Sequence, residues 1–255
     1  MNKKFLYFLL ATFLTACTSP IEITDAKGAT MRLVSAGEFT MGSDFGDPDT
    51  KPVHQVYLNN YYMDKYEVTN TLYRACVSAG ECDPPHEVGS ATRPDYYDNP
   101  EFNDYPVVNV DWDQARTYCK WRGARLPTEA EWEKAASWDD ERKEKNLFPW
   151  GDSINCSIAN YVGPEENGCV GDTTKVGSYP AGTSFYGLMD MGGNVGEWLT
   201  DWFDAYPANT VINVYYGKFG RVLRGGSWGS YSYFITSTSR GHGDPTGWGE
   251  GIGFR

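Results

Sequence analysis

"YPVVNVDWDQARTYCKWRGARLPTEAEWEKAA", residues 105–136, is the stretch on which the reading of this chain turns. It holds two short amphipathic helices in succession. Asp111 is placed to cap the first, over WDQARTYCKWRG, where Trp112, Ala115 and Cys119 share one face and Gly123 ends it. Thr128 and Glu131 have the spacing of a capping box and open the second, over TEAEWEKAA, with Trp132, Ala135 and Ala136 facing inward. Upstream, Thr69 can cap a third helix over NTLYRACVSAG, with Leu72, Tyr73 and Cys76 inward and Gly80 as its stop. Strand-like runs are short: QVYLNNYYM at 55–63, PVVNV at 106–110 and NVYYG at 213–217, joined by Pro- and Gly-rich turns. The pattern predicts one α+β domain over residues 29–255, with a large share of irregular chain and no internal repeat.

Composition agrees. Aromatics make up 15% of the 255 residues, glycines number 28 and charged residues reach 22%, as in a loop-rich globular fold that buries many rings. The formal charge of −12 repels phosphate backbones, so nucleic acid is not an expected partner. The N-terminus "MNKKFLYFLLATFLTAC" carries Lys3 and Lys4, then an apolar run from Phe5 to Leu14 that is too short to span a bilayer. It predicts a secretory signal over residues 1–16. "LTAC" resembles a bacterial lipobox, which would leave Cys17 lipidated and residues 17–28 as a tether; the alternative is an ordinary signal with a chance cysteine. The expected location is the cell envelope, at the outer membrane or cell surface, because Thr18 and Ser19 offer no Asp for inner-membrane retention. Among the other five cysteines, Cys76–Cys82 and Cys156–Cys169 are the simplest local pairs for an exported protein, with Cys119 a buried thiol.

Seven segments in order resemble one family: RLVSAGEFTMGS (32–43), YYMDKYEVTNTLYRAC (61–76), residues 105–136, FPWGD (148–152), YGLMDMGGNVGEW (186–198), RVLRGGSW (221–228) and GFR (253–255). They resemble the formylglycine-generating enzyme (sulfatase-modifying factor) family across the whole mature chain. The resemblance implies a C-type-lectin-like fold, with little regular secondary structure and bound Ca2+. Fold alone leaves activity open. The family's oxidase holds copper between two cysteines three and eight residues after the Ser of RGGS. Here that Ser is Ser227, and the thiolate positions are Ser230 and Ile235. Cu(I) needs soft sulfur ligands, which neither side chain supplies. A Trp lining the same cleft is Gly196 here. No copper is therefore expected, and no catalytic residue is assigned.

Calcium is expected. By resemblance one site falls on Asp190, the carbonyls of Gly193 and Val195, and Glu197, a donor set suited to a hard cation. A Gly-rich turn with ordinary surface acids is the plainer reading. By the same resemblance a second site would use Asn160 and the Tyr161 carbonyl, but it maps less cleanly, because the position of its acid falls near Asn167 and Gly168.

Residues 228–255 are rich in Ser, Tyr, Thr and Gly, the chemistry of an adaptable contact surface. Trp228, Ser230, Tyr231, Ser232, Tyr233, Thr236, Ser237, Thr238, His242, Asp244, Thr246 and Trp248 are the candidate ligand-binding residues. The tail resembles retroelement-diversified ligand-binding lipoproteins of this fold, where variation lies between RGGSW and GFR. A degenerate loop without a partner is the alternative. The sequence thus points to a lipid-anchored binder of an unknown protein or surface ligand. An oxidase that converts a sulfatase Cys, or a related enzyme using the same cleft, is one rival; a structural envelope component is the other. Glu129, Glu131 and Glu133 read as helix-capping and solvated acids, Asp201 and Asp204 as acids without a nucleophile. His54 and His86 read as isolated, and Trp112, Trp121, Trp132, Trp150, Trp198 and Trp228 as core. Arg125, Arg224 and Arg255 read as loop braces.

Overall fold

The structure, a computed structural model, describes residues 21–163 and 168–255. The expected signal, Cys17 and Asn167 lie outside those residues. In chain order the elements are β1 (Glu22–Thr24), β2 (Thr30–Val34), β3 (Gly37–Met41), β4 (His54–Leu58), β5 (Tyr61–Asp64), α1 (Asn70–Ser78), α2 (Trp112–Trp121) and α3 (Glu129–Ser137). There follow β6 (Trp138–Asp139), β7 (Glu144–Lys145), β8 (Gly196–Trp202), β9 (Arg221–Arg224), β10 (Gly241–Gly243) and β11 (Ile252–Gly253). The fold is mixed α+β with few helices and short strands.

All three helices begin at the expected caps. Thr69 accepts from the Leu72 amide, and Asp111–Gln114 and Thr128–Glu131 both close capping boxes. The strands were less legible. Residues 55–63 divide between β4, paired with β3, and β5, paired with β2. Residues 106–110 form no strand; they run buried, with the Val107 amide bonded to the Val68 carbonyl. Residues 213–217 form a turn.

The folded unit also starts earlier than residue 29. β1 pairs antiparallel with β2, and Asp25 accepts from the Lys27 and Ala29 amides while pairing with Arg122 at 2.9 Å. A short edge strand tied down by ion pairs carries too little hydrophobic pattern to stand out in sequence.

Sheet β10-β9-β8-β11 sits at the centre, with β11 parallel to β8, so the C-terminal residues return to the core. One core cluster joins α1, α2 and Phe254 around Trp112, Tyr118 and Trp198; another packs Trp132 and Ala135 of α3 on Leu199 and Val222. Trp112, Trp132 and Trp198 are buried as expected, whereas Trp121, Trp150 and Trp228 are only partly covered. The disulfides are Cys76–Cys82 and Cys156–Cys169, and Cys119 is a buried thiol.

Candidate binding site

β9 ends at Arg224, and two glycines with positive φ, Gly225 and Gly226, turn the chain into Ser227. A cleft of about 220 Å³ opens here, lined by Gly196, Ser227, Ser230, Phe234 and Gly251. The Ser230 hydroxyl accepts from the Ser227 amide at 3.0 Å and lies 3.4 Å from the Ser227 hydroxyl. Ile235 is fully buried and packs with Phe148, Ala159 and Tyr161. One of the two thiolate positions is thus a hydroxyl closing a tight turn, and the other is a core hydrocarbon. Cys119 does not line the cleft; it belongs to the core around α2, where burial pushes its thiol up to about 12.

The expected calcium residues share one turn. Asp190 and Asn194 both have positive φ, and a Cβ on Gly193 would meet the Asn160 carbonyl oxygen at 2.2 Å, so glycine is required there. The Asn194 amide bonds that same Asn160 carbonyl, which joins the two expected sites. Glu197 is fully buried and grips Arg255 through both oxygens, at 2.5 and 2.7 Å, and one of them also accepts from Trp132 Nε1. Sequence reasoning missed Glu67. It accepts from Asn194 Nδ2 at 2.6 Å and the Val195 amide at 3.1 Å. Burial drives its carboxyl well above the usual range, and the nearby Asp190 and Glu197 push it further. Burial also lifts Asp190 to about 6, against the pull of the Gly177 amide and Arg255.

Three carboxylates therefore face one guanidinium, and Asn160 Oδ1 is buried without a hydrogen-bond partner. The hard oxygens and the shortage of positive charge are of the kind a calcium ion takes, with Arg255 and Trp132 already on the Glu197 oxygens. Among the described residues no three His, Cys, Asp or Glu side chains are spaced to hold a metal unaided, so main-chain oxygens would have to complete its shell.

A second ionic layer lies beneath the tail. Glu133 is fully buried; it receives Arg224 at 2.5 Å, Lys145 at 3.0 Å and the Gly42 amide at 2.7 Å. Glu129 receives Arg240 through both oxygens, at 2.7 and 2.8 Å. Arg224 also donates to the carbonyls of Ser237, Thr238 and Ser239. The solvated reading of Glu129 and Glu133 is therefore wrong. Their i, i+4 spacing places them on one face of α3, and Arg224 of β9 and Arg240 of the tail compensate the buried charge. Burial raises the Glu133 carboxyl, but Arg224, Lys145 and the Gly42 amide outweigh it and hold it below the usual 4.5. Arg224 and Arg255 are braces as expected. Arg125, although itself exposed, also braces as expected, donating to both oxygens of the buried Glu131 and to the Leu126 carbonyl. Asp201 accepts from the Glu129 amide, while Asp204 accepts from the Ala205 amide.

The candidate ligand-binding residues do not form one surface. Ser230 lines the small cleft, with Trp228 and Ser232 partly covered nearby. Tyr233, Thr236 and Thr238 face a larger cavity of about 510 Å³ shared with residues 42–53. Tyr231 is exposed. Ser237 is fully buried and leaves any contact surface, because its carbonyl is pinned by Arg224. His242 packs between Phe203 and Tyr215, Asp244 and Thr246 close a turn on each other, and Trp248 stacks on His86 at 5.4 Å. His86 also meets Asp111 at 3.0 Å, and His54 packs on Tyr206, so neither is isolated.

A family model described as the sulfatase-modifying factor enzyme 1-like domain matches residues 19–255. A serine/threonine-protein kinase pkn1 of Chlamydia pneumoniae is 36% identical over 88% of this chain but only 37% of its own, so the chain spans little more than a third of that relative. The formylglycine-generating enzyme of Streptomyces coelicolor is 32% identical over 86% of each chain. Among solved structures, Treponema denticola variable protein 1 superposes with a TM-score of 0.72 at 24% identity, over 92% of this chain and 98% of that one, a likeness of fold.

Proposed function

We propose a function from one premise: the chain belongs to the sulfatase-modifying factor family. Within that family it acts as a non-catalytic, calcium-stabilised envelope lipoprotein that binds a partner or ligand through its C-terminal residues. The observation that carries this reading is the pair of positions three and eight residues after Ser227. The Ser230 hydroxyl is spent on a turn and Ile235 is buried against Phe148, Ala159 and Tyr161. Restoring a thiolate pair there would require both a new ligand and a vacated core position. Without soft ligands, monovalent copper has nothing to hold it, and oxygen chemistry at the cleft loses its metal.

Asp190, the Gly193 and Val195 carbonyls and Glu197 would hold calcium, with Glu67 adding negative charge beside them. The ion would supply structure: it cross-links the turn at 190–197 to the core and offsets buried carboxylate charge. Cys17 would carry the anchor. A Cys17→Ser chain released into the soluble fraction supports that; one still membrane-bound contradicts it.

A formylglycine-generating activity is the rival reading, favoured by the identity to the Streptomyces coelicolor enzyme. The test is to offer purified protein Cu(I), oxygen and a Cys-containing sulfatase peptide. Unchanged peptide by mass spectrometry is expected. Conversion of its cysteine to an aldehyde, dependent on this protein, overturns the proposal. Diversification of the tail is tested by sequencing the locus from related isolates, where changes confined to residues 228–252 are the expected pattern.

A further inference from the structure

The Glu133 hub roofs over on one side with an open cavity that neither the copper positions nor the calcium turn uses. About 510 Å³ in volume, it lies between residues 42–53 and residues 233–239, with Asn146, Leu147 and Asp152 along one edge. That is within the roughly 300–1,000 Å³ of ligand pockets. Its walls combine exposed apolar surface, which water covers poorly, with anionic side chains. Phe45, Leu147 and Tyr233 hold large apolar surfaces out in solvent, Phe45 being 88% exposed. Among them stand three carboxylates, Asp44, Asp47 and Asp152. Among the described residues no lysine, arginine or histidine forms an ion pair with any of the three. The cation on the wall is committed inward: Lys145 Nζ donates to Glu133 Oε1 at 3.0 Å and to the Gly42 carbonyl.

The cavity is also held in shape. Glu133 takes the Gly42 amide on one wall and, through Arg224, the carbonyls of residues 237–239 on the other. Asn209 ties the Pro48 and Lys51 carbonyls from outside. Thr236, Thr238 and Ser239 contribute to the floor.

Resting on the reading of this chain as a binder, we infer that the cavity receives a basic side chain, arginine or lysine, from a partner polypeptide. A guanidinium or ammonium supplies the cation these carboxylates lack, Asp47 having, among the described residues, only the Tyr233 side chain as a hydrogen-bond partner; its methylene stem covers Leu147 and Val53, and the faces of Phe45 and Tyr233 favour a cation. The volume exceeds what one side chain fills, so flanking residues of the same polypeptide enter as well. The surrounding charge of −12 steers such a ligand inward.

The test uses the full chain and two pentapeptide mixtures with degenerate neighbours, one fixed as arginine and one as glutamine at the centre, followed by saturation-transfer NMR. Saturable binding of the arginine mixture, at least about tenfold tighter than the glutamine mixture, is expected. Binding should weaken with added salt. Asp47→Asn with Asp152→Asn should weaken it about tenfold, while Glu101→Gln, far from the cavity, leaves it unchanged. Equal binding of the two mixtures, no saturation by about 5 mM, or indifference to the Asp47 and Asp152 changes overturns the inference. Agmatine binding as tightly as the arginine mixture overturns the polypeptide occupant. A chain that fails here yet leaves the sulfatase peptide unoxidised still stands as a binder with a different ligand; one that oxidises the peptide sinks the binder reading whatever the mixtures do.

Discussion

Two buried clusters of carboxylates hold this molecule together, and they are built on opposite principles. Under the tail, Glu129 and Glu133 are met by Arg224, Arg240 and Lys145, so the layer carries its own positive charge. At the turn of residues 190–197, Glu67, Asp190 and Glu197 share Arg255 alone. The first cluster is complete as the chain folds. The second is short of positive charge, and must either keep protons or take a cation. Solvent cannot relieve it, because all three acids are buried.

The sharpest way to break the contrast is at Glu133. Glu133→Gln removes the nearer anion of buried Arg224, leaving only Glu129 at 3.8 Å, and should cost about 3 kcal/mol, read by urea unfolding. A cost below 1 kcal/mol would mean that the layer is not the self-sufficient brace described. The next effect is one of sign with pH. Glu133 is held below 4.5, so its contribution is present above that value and is lost as pH falls through the depressed native one. Asp190 runs the other way. Its native value of about 6 lies above the unfolded 3.8, so without calcium it penalises folding by up to about 3 kcal/mol as pH rises through that window. Melting in chelator from pH 4.5 to pH 7 should show that penalty, and Asp190→Asn should remove it. A profile unaltered by Asp190→Asn would contradict the charge-deficit account.

Calcium itself should act only on the second cluster. At a hundredfold excess over its dissociation constant it stabilises by about 2.7 kcal/mol, so chelation lowers the Tm, and Asp190→Ala should abolish the difference. The smallest effect belongs to the surface. Tyr231→Ser, at an exposed position, should change stability by no more than about 0.5 kcal/mol while weakening capture of a tail-bound partner. Unchanged capture would move the contact away from Tyr231.

The helices were readable from sequence because each carries its own start signal: Thr69, Asp111 and the Thr128–Glu131 box are local chemistry. Both disulfides were readable for the same reason. What the sequence hid was long-range compensation. Glu133 looks solvated until Arg224, ninety-one residues on in the chain, is folded against it. Glu67 carries no motif, and only the approach of Asn194 and Val195 reveals its place. The tail likewise reads as one surface by composition, yet alternating burial sends Ile235 and Ser237 inward and Tyr233, Thr236 and Thr238 toward the larger cavity. β1 escaped notice because three residues at a sheet edge are held by ion pairs more than by apolar pattern.

Elemental analysis bears most directly on the central claim, that this family member recognises and does not oxidise. Purified full chain is equilibrated with calcium and Cu(I) together, freed of loose ions, and its bound metals are counted by mass spectrometry. At least one calcium per chain that disappears with Asp190→Ala, and no stoichiometric copper, is the predicted result. One tightly held copper per chain, lost on replacing a residue of the 227–235 cleft, would contradict it.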